Sequence, residues 1–208
     1  MKKTCVLILF AAAAFAGTVE SIALPKPVTT GGKPLMQALG ERQSTRSFTE
    51  EKLSPQVLSN LLWAAFGVNR PDGKRTAPSA MNWQEVQIYV VLPEAAYLWD
   101  AKTNRLDPVV TGDLRAATGT QDFVGKAPLN LVYVSDGSKT TRASEPDRSL
   151  YSGADVGFIA QNVYLYCASE GLGTVVRGSV NKVELAKALK LGPDQKIVLT
   201  QTVGYPKK

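Results

Sequence analysis

The chain contains no histidine at all. That excludes a Ser-His-Asp or Cys-His catalytic engine and most zinc sites, and no metal centre is expected. Cysteine is almost as scarce, with only Cys5 and Cys167. A glycine-rich dinucleotide loop of the G-x-G-x-x-G kind is also missing. The net charge of +6 comes from 24 basic and 18 acidic residues that are interspersed along the chain. A nucleic-acid partner would call for a concentrated basic stripe, and none is present. The apolar run Cys5–Ala16 has 12 residues, short of the about 20 that cross a bilayer as a helix.

What is present begins with that run. Met1-Lys2-Lys3 is a basic head, Cys5–Ala16 an apolar core, and Ala14-Phe15-Ala16 a small-x-small signal before Gly17. Residues 1–16 therefore read as a secretory signal peptide, with cleavage as late as Ala23 as an alternative. An uncleaved N-terminal anchor is the other reading. Export to a periplasmic or extracellular space is expected, with no stable membrane span after cleavage. Removal of residues 1–16 leaves 22 basic and 18 acidic residues, a net charge of +4. It also leaves one cysteine, so no internal disulfide forms, and the apolar surroundings of Cys167 point to a buried thiol.

The remaining residues have ordinary globular composition, 44% hydrophobic and 20% charged. Their length suits one domain, taken here as residues 34–208. Residues 24–33, rich in Pro, Gly and Thr, read as a flexible lead-in. Short helices are expected at 34–40 and 54–66, the second capped by Ser54 with Pro55 at its first position. A strand is expected at 85–92, a hairpin at 97–110 and a second core strand at 129–135. The polar segment Ser135–Ser149 reads as a mobile loop. Gly153–Glu170 is apolar almost all round and reads as a central buried helix. A strand at 174–176, a helix at 181–191 capped by Asn181, and a strand at 197–203 complete the chain. Helices should cover the sheet of a single domain.

Three loops carry candidate chemistry: Arg42–Arg46 (RQSTR), Pro78–Asn82 (PSAMN) and Gly171–Gly178. Each has a plain structural reading: a capped turn, a Pro-Ser turn before a strand, and a helix C-cap. Together they suit a ligand with an anionic tail and a flat ring of alternating acceptors and donors. Arginine forks and a serine hydroxyl fit phosphate. An asparagine amide can donate and accept at once. Glycines let backbone N–H groups come close. Chemistry supplied by a cofactor also explains how a histidine-free chain could be an enzyme.

In the order RQSTR after the first helix, PSAMN before the strand EVQIYVV, the helix and turn AQNVYLYCASEGLGTVVRG, and the closing VGYP, the chain resembles the FMN-dependent nitroreductase family. It is most similar to the thiazole/oxazole dehydrogenase-like branch, through its YLWDAKTNRLDPVVTGDLR insert. The resemblance spans roughly residues 33–206. It implies an α+β fold of α/β/α type, with a mixed sheet flanked by helices, in an intertwined homodimer with each FMN at the subunit interface. It implies that Arg42 and Ser44 hold the phosphate, with Gln43 in the same segment. Arg46 would lie near N1/O2 of the flavin. Ser79 and Asn82, with Pro78 and Ala80 beside them, would meet the pyrimidine side. Arg177 and Gly178 would present backbone N–H groups near N5 and O4. Arg46, Arg177 and Gly178 are thus the candidate catalytic set. Many relatives carry a Lys/Arg pair beyond the last strand that clamps the phosphate; Lys207 and Lys208 either substitute for it or leave the phosphate more weakly held. The implied activity is hydride transfer between a small-molecule donor and acceptor, with ping-pong turnover. A non-catalytic flavin carrier or electron relay is the runner-up, and a degenerate interaction module the third reading.

Overall fold

The computed structural model describes residues 19–140 and 142–207. The expected signal peptide, residues 1–16, lies outside them, as does Lys208.

One seven-stranded sheet forms the centre of the molecule. Its strands are β1 (Ile22–Ala23), β2 (Val86–Val91), β3 (Ala95–Asp100), β4 (Arg105–Thr111), β5 (Leu129–Asp136), β6 (Gly173–Arg177) and β7 (Gln195–Gly204), in the order β1-β4-β3-β2-β5-β7-β6. Four helices accompany it: α1 (Leu35–Glu41), α2 (Pro55–Phe66), α3 (Glu145–Glu170) and α4 (Lys182–Ala188). The α+β class is as expected. The sheet, however, is not mixed: every pairing among the described strands is antiparallel. Strand direction depends on where each connection returns, which no local pattern encodes.

Alternation along the strands builds two cores. Ile88, Val90, Leu129, Leu131 and Tyr133 face α2 and α3, whereas Tyr89, Val91, Val132 and Val134 face α4 through Leu185 and Leu189. Both faces of β5 are therefore covered, and its residues Leu129–Val134 are all buried. Their near-continuous apolar run follows from that double burial.

Helix α2 forms as its residues dictate. Ser54 Oγ accepts from Val57 N–H at 3.3 Å, Pro55 occupies the first position, and Leu58, Leu61, Leu62, Ala65 and Phe66 are buried. Helix α3 is longer than expected and begins at Glu145, inside the segment taken for a loop. The first two turns carry no apolar periodicity, so the sequence signal is only the cap: Ser144 Oγ accepts from Asp147 N–H, with Glu145 and Asp147 in the first turn where the helix dipole favours acids. The helix ends at Gly171, whose φ of 71° is left-handed. Nor is α3 buried all round. Val156, Ile159, Ala160, Val163 and Cys167 are buried, but Leu150, Tyr151 and Phe158 are exposed in the single chain.

The expected lead-in is tied into the fold. Leu24 is buried and its N–H donates to the Asn104 carbonyl at 3.0 Å. Ser59 Oγ and Asn104 Nδ2 both donate to the Pro25 carbonyl, and Val28 N–H donates to Asn60 Oδ1. Just ahead of it, β1 pairs with β4, and Ser21 Oγ donates to Asp107 at 2.9 Å. A chain that begins at Gly17 keeps these contacts, and a chain that begins at Leu24 loses β1 and the packing of Ile22. The shorter chain should be less stable by about 1–3 kcal/mol, from one apolar side chain and a few hydrogen bonds. Urea unfolding of the two chains tests this, and equal midpoints would show that β1 contributes nothing.

Candidate functional site

The segment Arg42–Arg46 leaves α1 and runs between two parts of the sheet. Thr45 N–H donates to the Thr174 carbonyl at 2.9 Å, while Lys207 N–H donates to the Ser47 carbonyl and Thr49 N–H to the Tyr205 carbonyl. The start of β6 approaches it so closely that a Cβ at Gly173 would lie 2.8 Å from Thr45 Cγ2. Glycine is required there for packing rather than for a special φ.

Tyr164 of α3 organises the segment's polar groups. Its hydroxyl accepts from Val176 N–H at 3.0 Å and lies 2.9 Å from Ser44 Oγ. The Val176 amide takes one of the acceptor positions of that oxygen, and either hydroxyl of the Tyr164–Ser44 pair can be the donor. The Arg42 guanidinium lies 5.4 Å from the centre of the Tyr164 ring, within cation–π range.

Arg42, Arg46 and Lys207 make no ion pair or side-chain hydrogen bond with any described residue. The neighbouring acid, Glu41, is engaged by Lys33 Nζ at 2.5 Å and by Gln37 Nε2 at 2.8 Å. The Lys33 bond, then the Gln37 bond, holds its carboxyl below the usual range. A cleft of about 480 Å³ opens here, lined by Arg42, Gln43, Thr45, Tyr164, Leu172 and Pro206 among others. Of the cations, Arg42 lines this cleft, Arg46 lies in the same segment and Lys207 is paired through its backbone to its neighbour Ser47, which makes the cleft a candidate anion site.

The second segment, Pro78–Asn82, sits elsewhere on α3. Ala80 N–H donates to Asp155 Oδ2 at 2.9 Å, Ser79 Oγ donates to Glu85 Oε2 at 3.3 Å, and Gln84 N–H donates to Ser79 Oγ at 2.8 Å. Met81, Asn82 and Gln84 have φ of 51°, 54° and 49°. Three left-handed non-glycine residues within four positions are strained, and such strain gathers at ligand sites. Pro78, Met81 and Asn82 are exposed. The Asn82 side-chain oxygen accepts only a weak tether from Gln84 Nε2, at 3.1 Å. Asp155 and Tyr164 are nine residues apart on α3, about 13 Å along the axis. One chain therefore does not bring PSAMN onto the Arg42 cleft.

Arg177 and Gly178 lie at the far end of β6 from Gly173. Gly178 is exposed, but the Arg177 side chain is buried and belongs to the fold. Its Nη1 donates to the Thr118 carbonyl at 2.8 Å and its Nη2 to Asn130 Oδ1 at 3.0 Å. Burial without a carboxylate partner pulls it down to about 10. Any role of this residue towards a ligand is confined to its backbone.

Sequence reasoning missed Tyr164, Glu85 and Asp155. The available signal was their polarity: a phenol and a carboxylate inside an apolar helix need partners.

With this geometry in view, the comparisons with known proteins are direct. The profile described as "Nitroreductase family" matches residues 39–205, most of the chain, and the chain belongs to that family of oxidoreductases. A Methanocaldococcus jannaschii protein named "Putative nitroreductase MJ1384" is 33% identical over 167 residues, which cover 76% of this chain and 84% of that one. The crystal structure of a protein of the same description from Ralstonia eutropha JMP134 superposes with a TM-score of 0.88 at 44% identity, covering 93% of each chain. The fold also recurs in the NADPH:FMN oxidoreductase of Vibrio harveyi, with a TM-score of 0.64 at 21% identity over 84% of this chain and 69% of that one.

The buried position of Arg177 makes a clear prediction. Arg177→Ala leaves the Thr118 carbonyl without its side-chain donor and Asn130 Oδ1 with Thr202 Oγ1 alone, and should cost about 2–4 kcal/mol in denaturant unfolding. Arg46→Ala, at an exposed and unpaired position, should stay within about 0.5 kcal/mol. Equal effects would mean that Arg177 is not the structural arginine.

Proposed function

We propose that this protein is an exported FMN-dependent oxidoreductase that works as a homodimer. The observation that carries the reading is Arg42 on the cleft, with Ser44 and Arg46 in its segment and Lys207 bonded to that segment at Ser47, the three cations making no ion pair among the described residues. The donor set fits a phosphate monoester, and a cleft of about 480 Å³ lies in the range of small cofactor sites. The Vibrio harveyi neighbour is named as an FMN oxidoreductase, which supports the same cofactor here.

In this reading Arg42, Ser44 and Lys207 bind the phosphate, with Gln43 beside them. Arg46 places a fixed positive charge at the N1/O2 edge, where negative charge gathers on reduction. The backbone N–H groups of Arg177 and Gly178 would be the donors offered to the N5 and O4 side of the ring. Bound FMN would supply hydride transfer at N5 between a small-molecule donor and an acceptor, one after the other, as in ping-pong turnover. Pro78, Ser79, Ala80 and Asn82 serve the pyrimidine side from the second copy of the chain, because within one chain they stand about 13 Å of helix away. The exposed apolar residues Leu35, Met36 and Leu39 of α1 and Leu150, Tyr151 and Phe158 of α3 would be covered by that second copy. Among the described residues no helix is long and apolar enough to cross a membrane, and export rests on the residues 1–16 reading alone.

Two measurements test the site. Arg42→Ala should weaken FMN binding by about 1.5–3 kcal/mol, the scale of a charge-assisted hydrogen bond, without loss of fold; unchanged affinity would return the segment to a plain turn. Arg46→Gln should lower the flavin midpoint potential by tens of millivolts, since about 30 mV of a two-electron couple corresponds to 1.4 kcal/mol. Identical potentials would remove Arg46 from the ring and favour a carrier without turnover of its own.

A further inference from the structure

Beneath the strained loop lies a pair of acids that the anion site does not use. Glu85 and Asp155 are 0% and 2% exposed. Among the described residues no cation bonds either of them. Lys139 Nζ, from the turn after β5, donates to the Gln84 carbonyl, and Arg75 Nε to the Gln84 side chain. Arg148, two turns back on α3, donates to the Ala143 carbonyl. Asp136 of β5 meets Glu85 only through its backbone N–H, and its carboxylate accepts from Ser138. The pair's partners are the loop and the core: Ala80 N–H on Asp155, Ser79 Oγ and Ser152 Oγ on Glu85. The two carboxyl groups hold adjacent loop residues, Ser79 and Ala80, and are close enough that the charge on Asp155 helps to raise Glu85.

We infer that the buried carboxyl pair Glu85–Asp155 is a latch that holds Pro78–Gln84 in its left-handed conformation. Asp155 reaches the loop from α3 and Glu85 from the strand that follows it, so the pair ties the loop at Ala80 and at Ser79. Ser79 in turn fixes Gln84 N–H, and the backbone bonds Asn82 N–H to Ser79 and Trp83 N–H to Ala80 close the turn. Without such ties, three left-handed residues on an exposed loop would relax to ordinary conformations.

The latch works in one protonation state. Two buried carboxylates this close and without a cation repel each other when both are ionised, so the pair is relaxed only while it holds a proton. Burial is the main cause that raises both groups above the usual carboxylate range. A raised titration in the folded state means the proton is held at low pH and lost as pH rises through that raised range. Loss of it sets two buried negative charges against each other under the loop.

These are positioning residues, and the inference rests on the cofactor reading only in its consequence for FMN. The test is hydrogen exchange of the mature full chain, read as protection factors of the Ala80, Asn82, Trp83 and Gln84 amides across pH. Wild-type protection should fall about tenfold as pH rises past the pair's titration, the scale of a lost hydrogen bond to a charged group, while amides of β5 stay protected. Asp155→Asn keeps an acceptor for Ala80 N–H and supplies a donor to ionised Glu85, so its protection should be independent of pH. Asp155→Ala should be loose at every pH. A flat wild-type profile, or one that Asp155→Asn reproduces, overturns the latch. FMN titrations of wild type and Asp155→Asn at both ends of the range separate the two readings. Affinity that follows loop protection supports both, whereas protection that changes without affinity upholds the latch and refutes the placement of this loop on the flavin.

Discussion

The rest of the molecule depends on the seating of α3 against the sheet. One face of this 26-residue helix, from Val156 to Cys167, is buried on the central strands and α2. That burial is what fixes the direction of its polar side chains. Ser152 and Asp155 point to the loop after α2, and Tyr164 points to the segment after α1. A rigid helix holds such groups at separations that loops alone would not keep. The site segments are irregular, but the helix that carries their anchors is not.

A second, smaller constraint lies inside the sheet. Asn130 receives hydrogen bonds from Arg177 Nη2 and Thr202 Oγ1, Gln201 Nε2 donates to Thr174 Oγ1, and the Tyr133 hydroxyl donates to Gln201 Oε1. These groups are buried, and each unmet partner would carry a desolvation penalty. The network pins the register of β5, β6 and β7, and with it the distance from Gly173 to Gly178. Electrostatics are distributed accordingly. The arginine that serves the fold is buried among neutral oxygens, whereas half-buried Arg42 at the cleft and exposed Arg46 lack acidic partners among the described residues.

The division of the candidate residues within one chain has a consequence for assembly. The cationic segment and the strained loop belong to different turns of α3, and apolar side chains remain uncovered on α1 and α3. A second copy that covers those side chains would also complete the ring side of the site. Burial of apolar surface and completion of the site would then be one event, and flavin binding would strengthen the dimer by linkage.

Much of this was legible locally. Ser54-Pro55, Asn181 and Gly171 set helix ends through groups that only nearby backbone can satisfy, and apolar, β-branched runs marked β2 and β5, with a polar tip marking the hairpin of β3 and β4. The motif RQSTR was legible as a candidate phosphate segment because two arginines and a serine need no distant partner to suit phosphate. The start of α3 was hidden, since its first turns are polar and lack periodicity. Strand direction, the tethering of residues 24–33, and the choice of Arg177 as a buried fold residue depend on which distant oxygens lie opposite. The same holds for Tyr164 and for the Glu85–Asp155 pair. Sequence by itself determined which chemical groups this protein possesses and where its helices and strands could begin, because propensity, capping and periodicity act over a few residues. Only the tertiary structure decided which of those groups are free to meet a ligand and which are committed to one another, because hydrogen bonds and burial are settled between residues far apart in the chain.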